Sequence, residues 1–153
     1  MFVVFAVIAT IFLVGTDQLF KYLAVEYLME TDYVTVIEGV LRFRYVENTG
    51  AAFSSFSDNT LVLTVLTVII LCVCLILLLS RKFRNMFINI CLMLVISGGL
   101  GNVIDRILYG FVVDFIEPLF IDFAVFNFAD CCITVGAFML IGYEIFLIAK
   151  ESK

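Results

Sequence analysis

Four aspartates, Asp17, Asp105, Asp114 and Asp130, stand inside or beside long apolar stretches of this 153-residue chain. A carboxylate placed in hydrocarbon costs at least about 2.5 kcal/mol on insertion scales, so such acids mark function by default. Two carboxylates held close together share one proton near neutral pH. The ionised member then draws a proton from water while the protonated member donates to a carbonyl oxygen. That is hydrolytic chemistry requiring neither metal nor covalent intermediate. The chain contains no histidine, which removes HExxH zinc sites and Ser-His-Asp triads, both built on imidazole. Cys72, Cys74 and Cys91 fall within apolar runs, and Cys131 and Cys132 are vicinal without further ligands at metal spacing. All five read as small hydrophobic filler, and no metal or other cofactor is expected.

These acids must be positioned by membrane-spanning elements. The chain is 64% hydrophobic with a mean hydropathy of +1.19, more apolar surface than a soluble fold of this size buries. One proline and no low-complexity stretch leave no evident linker, so a single membrane-embedded domain over residues 1–153 is expected. The expected fold class is an all-α integral membrane protein with four transmembrane helices. Spans of roughly 20 apolar residues read as Phe2 to about Leu28, Leu61 to Leu79, Met86 to Ile104 and Phe126 to about Ala149. A cleaved signal peptide does not account for the first, which has no basic n-region and no small-x-small site before Asp17.

The basic run Arg81-Lys82-Phe83-Arg84, with Lys150 and Lys153, marks the cytoplasmic side and puts both termini there. Met29 to Asn59 and Arg106 to Val125 are then extracytoplasmic. In the first of these segments Tyr33 to Ile37 and Leu41 to Val46 read as strands around Glu38-Gly39, with Leu41, Phe43 and Tyr45 alternating with Arg42 and Arg44. A small extracytoplasmic β-sheet is expected from that first outer loop. The second segment, with Phe111, Phe115, Phe120, Phe123 and Pro118, reads as lying in the membrane interface. The net charge of −5 is too modest to imply nucleic acid as a partner.

This topology gathers Asp17, Asp105, Asp114 and Asp130 near one membrane face. Asn102 and Asp105 are three residues apart on one helix side, as are Asn127 and Asp130. Asn127 reads as an N-cap with Asp130 at N3, where the helix dipole favours a carboxylate. Ser97-Gly98-Gly99-Leu100-Gly101 supplies small residues that let a neighbouring backbone approach closely.

Five runs in order, Asp17-Gln18-Leu19-Phe20-Lys21, Glu47-Asn48-Thr49-Gly50-Ala51-Ala52-Phe53, Gly98-Gly99-Leu100-Gly101-Asn102-Val103-Ile104-Asp105-Arg106, Val112-Val113-Asp114-Phe115 and Phe126-Asn127-Phe128-Ala129-Asp130, resemble the conserved blocks of the bacterial lipoprotein signal peptidase, signal peptidase II. The resemblance covers nearly the whole chain. It implies an aspartyl endopeptidase of the bacterial cytoplasmic membrane that removes the signal peptide from diacylglyceryl-modified prolipoproteins, just before the lipidated cysteine. Its partners would be those substrates and membrane lipids, and a monomer is expected. The match makes Asp114 and Asp130 the catalytic dyad. Asn48, Gly50, Asn102, Asp105, Arg106, Asn127 and Ala129 match positions that shape and support the site, and Asp17 and Lys21 match a conserved pair on the first helix. Cys131 departs from the family, where Ser is more usual, a near-isosteric change.

Plainer roles exist for several of these residues. Asp105 and Arg106 form an ordinary helix-end charge pair by position. Asp17 and Lys21, at i and i+4, are placed to neutralise each other. Arg42 and Arg44 read as a solvated strand face. A proton-coupled transporter would spread acids through the bilayer depth or show inverted repeats, and neither pattern is present. A presenilin-like protease needs Gly-x-Gly-Asp, where this chain has Gly99-Leu100-Gly101-Asn102. An assembly factor without catalysis would have no use for unpaired intramembrane acids.

Overall fold

The computed structural model describes residues 2–50, 60–80 and 85–152, with side chains from Val4 onward. The basic run Arg81–Arg84, residues 51–53 of the second motif and Lys153 lie outside the described residues. In chain order the elements are α1 (Phe2–Leu28), β1 (Val34–Ile37), β2 (Leu41–Asn48), α2 (Thr60–Leu79), α3 (Met86–Tyr109), β3 (Val112–Pro118) and α4 (Phe128–Glu151). All four helices are long and apolar enough to cross a membrane, as the runs of apolar residues predict.

The central helix is α3, the most buried of the four described helices. Its Asn85 cap accepts from Phe87 N–H at 2.8 Å. It stops at Gly110, whose φ of +83° and N–H bond to the Arg106 carbonyl form a left-handed cap. The helix therefore runs five residues beyond Ile104, where the sequence places its end at the first charges. Arg106 to Tyr109 lie in its last turn rather than in the outer segment, and Asp105, expected at the outer end of this span, is held there by partners inside the bundle. Leu92, Ile96 and Val103 of α3 pack with Leu71 and Leu78 of α2 to form the main apolar core.

The glycine run serves close packing, as expected. A Cβ on Gly98 would strike the Ala129 carbonyl and lie 2.8 Å from Ile133 Cγ1, and one on Gly101 would strike the Asp17 carboxylate. Further along, a Cβ on Gly136 would come 2.8 Å from the Cys91 carbonyl. Without a hydrophobic drive between helices in lipid, such backbone approach is what holds α3 to α4.

The sheet has the order β1-β2-β3, antiparallel throughout. Gly39, at φ +70°, closes the expected hairpin. The third strand is an addition to the sheet expected from the first outer loop. β3 comes from the second outer segment, and Val112, Val113, Asp114 and Phe115 are all buried, so it lacks the alternation that betrays a half-exposed strand. Phe43 and Phe115 meet edge to face at 5.9 Å. With Val113 they pack on Ala24 and Leu28, which seats the sheet on the end of α1. Arg42 faces Glu117 across β2 and β3 and holds it through two nitrogens, with Arg44 Nε 3.3 Å away. The two arginines are thus tied to a carboxylate, not merely solvated.

Candidate active site

β3 carries Asp114 into the end of the bundle where α4 begins. Asp114 is 1% exposed. Its Oδ2 accepts from Asn48 Nδ2 at 2.7 Å and its Oδ1 from Asn127 Nδ2 at 2.6 Å. Each amide is oriented by backbone. Gly50 N–H donates to Asn48 Oδ1 at 2.8 Å, with Gly50 at φ +111°, a conformation costly for any side chain. Asp130 N–H donates to Asn127 Oδ1 at 2.9 Å. Asn127 caps α4 as expected, and Asp130 at N3 returns the bond by accepting from Asn127 N–H at 3.2 Å, which completes a capping box. The other Asp130 oxygen accepts from Asn102 Nδ2 at 2.7 Å. Asn127 Nδ2 also reaches Asn102 Oδ1 at 3.1 Å. The two carboxylates are therefore bridged through one shared pair of asparagines.

Behind the asparagines lies an ion cluster. Lys21 Nζ is 2.9 Å from Asp17 Oδ2, 3.0 Å from Asp105 Oδ2 and 2.9 Å from Asn102 Oδ1. Asp17 Oδ1 accepts from Ala129 N–H at 2.8 Å, and Asp105 Oδ2 accepts from Val113 N–H at 3.0 Å. Lys21, Asp17 and Asp105 are each no more than 3% exposed. The expected Asp17–Lys21 pairing is present, whereas Asp105 takes its ion pair from Lys21 and not from the neighbouring Arg106. Gln18 completes the cluster by donating to Asp105 Oδ1 at 2.9 Å and to the Gly101 carbonyl at 3.2 Å. Sequence reasoning passed over Gln18. The signal was its place beside Asp17 in the first motif, a polar amide inside an apolar span.

Asp130 opens onto a cavity of about 700 Å³ lined also by Asn48, Gly50, Arg106, Phe126 and Cys131. Arg106 Nε is buried there with no hydrogen-bond partner among the described residues. Cys131, read from sequence as filler, faces this cavity. Burial pushes the Asp114 carboxyl up to about 7, with the Asp130 charge as the next contribution. Asp114, Asp130, Asn48, Gly50, Asn102, Asn127, Asp105, Asp17, Lys21 and Ala129 thus lie within one bonded cluster, and Arg106 adjoins it at the wall of the cavity beside Asp130.

The chain as a whole has counterparts among known proteins. A family profile described as Signal peptidase (SPase) II matches residues 8–146. The chain belongs to the signal peptidase II family. The lipoprotein signal peptidase of Streptococcus thermophilus (strain CNRZ 1066) is 38% identical over 134 residues, covering 88% of each chain. That of Streptococcus pyogenes serotype M5 (strain Manfredo) is 37% identical over 135 residues, covering 88% of this chain and 89% of that one. A bacterial membrane enzyme solved by the in meso method at 2.3 Å resolution is similar at a TM-score of 0.87 and 32% identity, over 99% of this chain and 92% of that chain. A second, at 1.9 Å resolution, gives 0.83 and 32% over 92% of each. This signal peptidase II homologue is accordingly a multi-pass membrane protease, with lipoprotein signal peptidase function.

Proposed function

We propose that this chain is an aspartyl endopeptidase that cuts diacylglyceryl-modified prolipoproteins immediately before the lipidated cysteine, with Asp114 and Asp130 as the catalytic dyad. The observation that carries the reading is the pair of carboxylates joined through Asn102 and Asn127, of which Asp130 lines a cavity large enough for an extended peptide segment. With Asp114 pushed to about 7, the pair shares one proton near neutral pH. The ionised carboxylate takes a proton from water as its oxygen attacks the scissile carbonyl carbon. The protonated one donates to the carbonyl oxygen, and the tetrahedral intermediate collapses as a proton passes to the leaving amine. Arg106 lines the same cavity, and its guanidinium, with N–H donors to spare, is suited to a substrate carbonyl. Phe123 and Phe126 line the same cavity, which suits a substrate anchored by lipid tails.

On this reading the protein is a monomeric single domain, with both termini cytoplasmic and the sheet and dyad at the extracytoplasmic face. Purified protein incubated with a lipid-modified prolipoprotein should release the shortened product. Asp114→Asn and Asp130→Asn should each lower turnover by several powers of ten while substrate still binds. Near-normal turnover in either would refute the dyad and turn attention to Asp105.

A further inference from the structure

Each of the three N–H bonds of a lysine ammonium can serve one acceptor, and Lys21 has three, on two helices. Followed outward, each leads to a candidate catalytic carboxylate. Through Asp17 the first reaches the N–H of Ala129, the residue before Asp130. Through Asp105 the second reaches the N–H of Val113, the residue before Asp114. Through Asn102 the third reaches the Asp130 carboxylate itself. The two backbone attachments are equivalent in kind: a carboxylate of the cluster grips the peptide N–H immediately ahead of each dyad member. Neutralising Asp17 alone would require only the i, i+4 pair. It would not require Lys21 to reach a second acid and an amide on α3.

We propose that Lys21 is a positioning residue for the peptidase reaction: it clamps the two chain segments carrying Asp114 and Asp130 at fixed separation, without touching substrate. This rests on the assignment of those two aspartates as the dyad. Lys21 is not among the residues lining the large cavity, so its loss should leave substrate recognition in place. It lines instead a smaller, separate cavity of about 260 Å³, together with Gln18, Asp105, Tyr45 and Glu47. A small solute can therefore approach the ammonium position without passing through the large cavity.

The test compares parent, Lys21→Met and Lys21→Ala enzymes, purified in detergent and supplied with a lipidated substrate peptide. Displacements near 1 Å at reacting groups cost on the order of a hundredfold in rate. For Lys21→Met we expect kcat to fall by about that factor, with KM within about threefold of the parent. In Lys21→Ala, added butylammonium should restore part of kcat, whereas butanol, of like size without the charge and its three donors, should not. Parental kcat in Lys21→Met, a loss expressed only in KM, or failure of butylammonium to outperform butanol would each overturn the proposal. Should the single variants not fold, Asp17→Asn combined with Lys21→Met keeps the cluster at one net negative charge. The same fall in its kcat supports the clamp and parental kcat overturns it, while its failure to fold would reduce Lys21 to a structural ion and also overturn it. The dyad assignment fails separately: an active Asp114→Asn enzyme removes it whatever Lys21 does, and an inactive one beside a normal Lys21→Met enzyme removes only the clamp.

Discussion

Asp114→Asn should make the protein inactive and, at alkaline pH, more stable. The Asp114 carboxyl is 1% exposed and titrates at about 7 instead of its ordinary 3.8. Because the folded-state value is the higher one, the folded protein holds this proton more tightly than the unfolded chain. Stability therefore declines as pH rises from about 4 to about 7 and is level beyond. At about 1.4 kcal/mol per pH unit the full decline is on the order of 4 kcal/mol. Asparagine cannot ionise and escapes it. Its amide nitrogen must, however, face one of the two amide donors now at 2.7 and 2.6 Å, which costs about 1–3 kcal/mol. The variant should thus be about 1–3 kcal/mol more stable than the parent at pH 8 and no more stable at pH 5. For a chain of this size that gain is a few degrees in midpoint, about 3–10 °C. Thermal unfolding in detergent can be followed by a thiol-reactive fluorophore, since Cys91 is fully buried when folded. A variant destabilised equally at both pH values would show that Asp114 carries no buried-charge cost, and the shared-proton argument would fall with it.

Gly101→Ala should cost about 1–3 kcal/mol by overpacking and lower turnover about tenfold or more, because the new methyl displaces the Asp17 carboxylate that holds Ala129 N–H; a thermal scan with a turnover assay decides, and parental values in both would contradict the packing. The double variant Asp114→Asn with Asp130→Asn should be scarcely slower than either single variant in the same assay, since the pair acts as a unit; additive losses would argue for independent roles. In a background without native cysteines, Glu38→Cys at the exposed hairpin turn should react with an impermeant thiol reagent added outside cells, and reaction only after the membrane is opened would invert the orientation. An unlipidated precursor should be cleaved far more slowly than the lipidated one, each buried methylene contributing about 0.8 kcal/mol to anchoring; equal cleavage would point to a general peptidase.

What could be read from the sequence was what is local. Apolar run length gave the four spans, the Asn127–Asp130 spacing gave the cap of α4, and Glu38-Gly39 gave the hairpin. The parts that escaped depend on distant partners. The apolar run of α3 was ended at the charges of Asp105 and Arg106, whereas the helix continues to Tyr109, and only Lys21, 84 positions before Asp105, shows how that buried acid is tolerated. β3 escaped because both of its faces are buried and its partner strand lies in the other outer segment. Arg42 and Arg44 looked like a solvated face until Glu117 was placed opposite them. The candidate site residues were named from matched motifs. The bonds among them, from Gly50 N–H to Asn48 to Asp114 or from Lys21 to Asp105 to Val113 N–H, required the fold.

The capping box at Asn127 has a consequence for how such a protease is born. Asp130 is at once a candidate catalytic group and half of the bond that starts α4, so the helix cannot begin elsewhere without dismantling the site. α4 also leaves the ribosome after the other three helices, while Asp17 on the first waits for the Ala129 N–H on the last. Until that span inserts, the nascent chain holds Asp114 without Asp130, and Asp17 without the Ala129 N–H it accepts from. If Asp114 and Asp130 are the dyad, order of synthesis would keep the unfinished chain without its second carboxylate until the last described helix is in place.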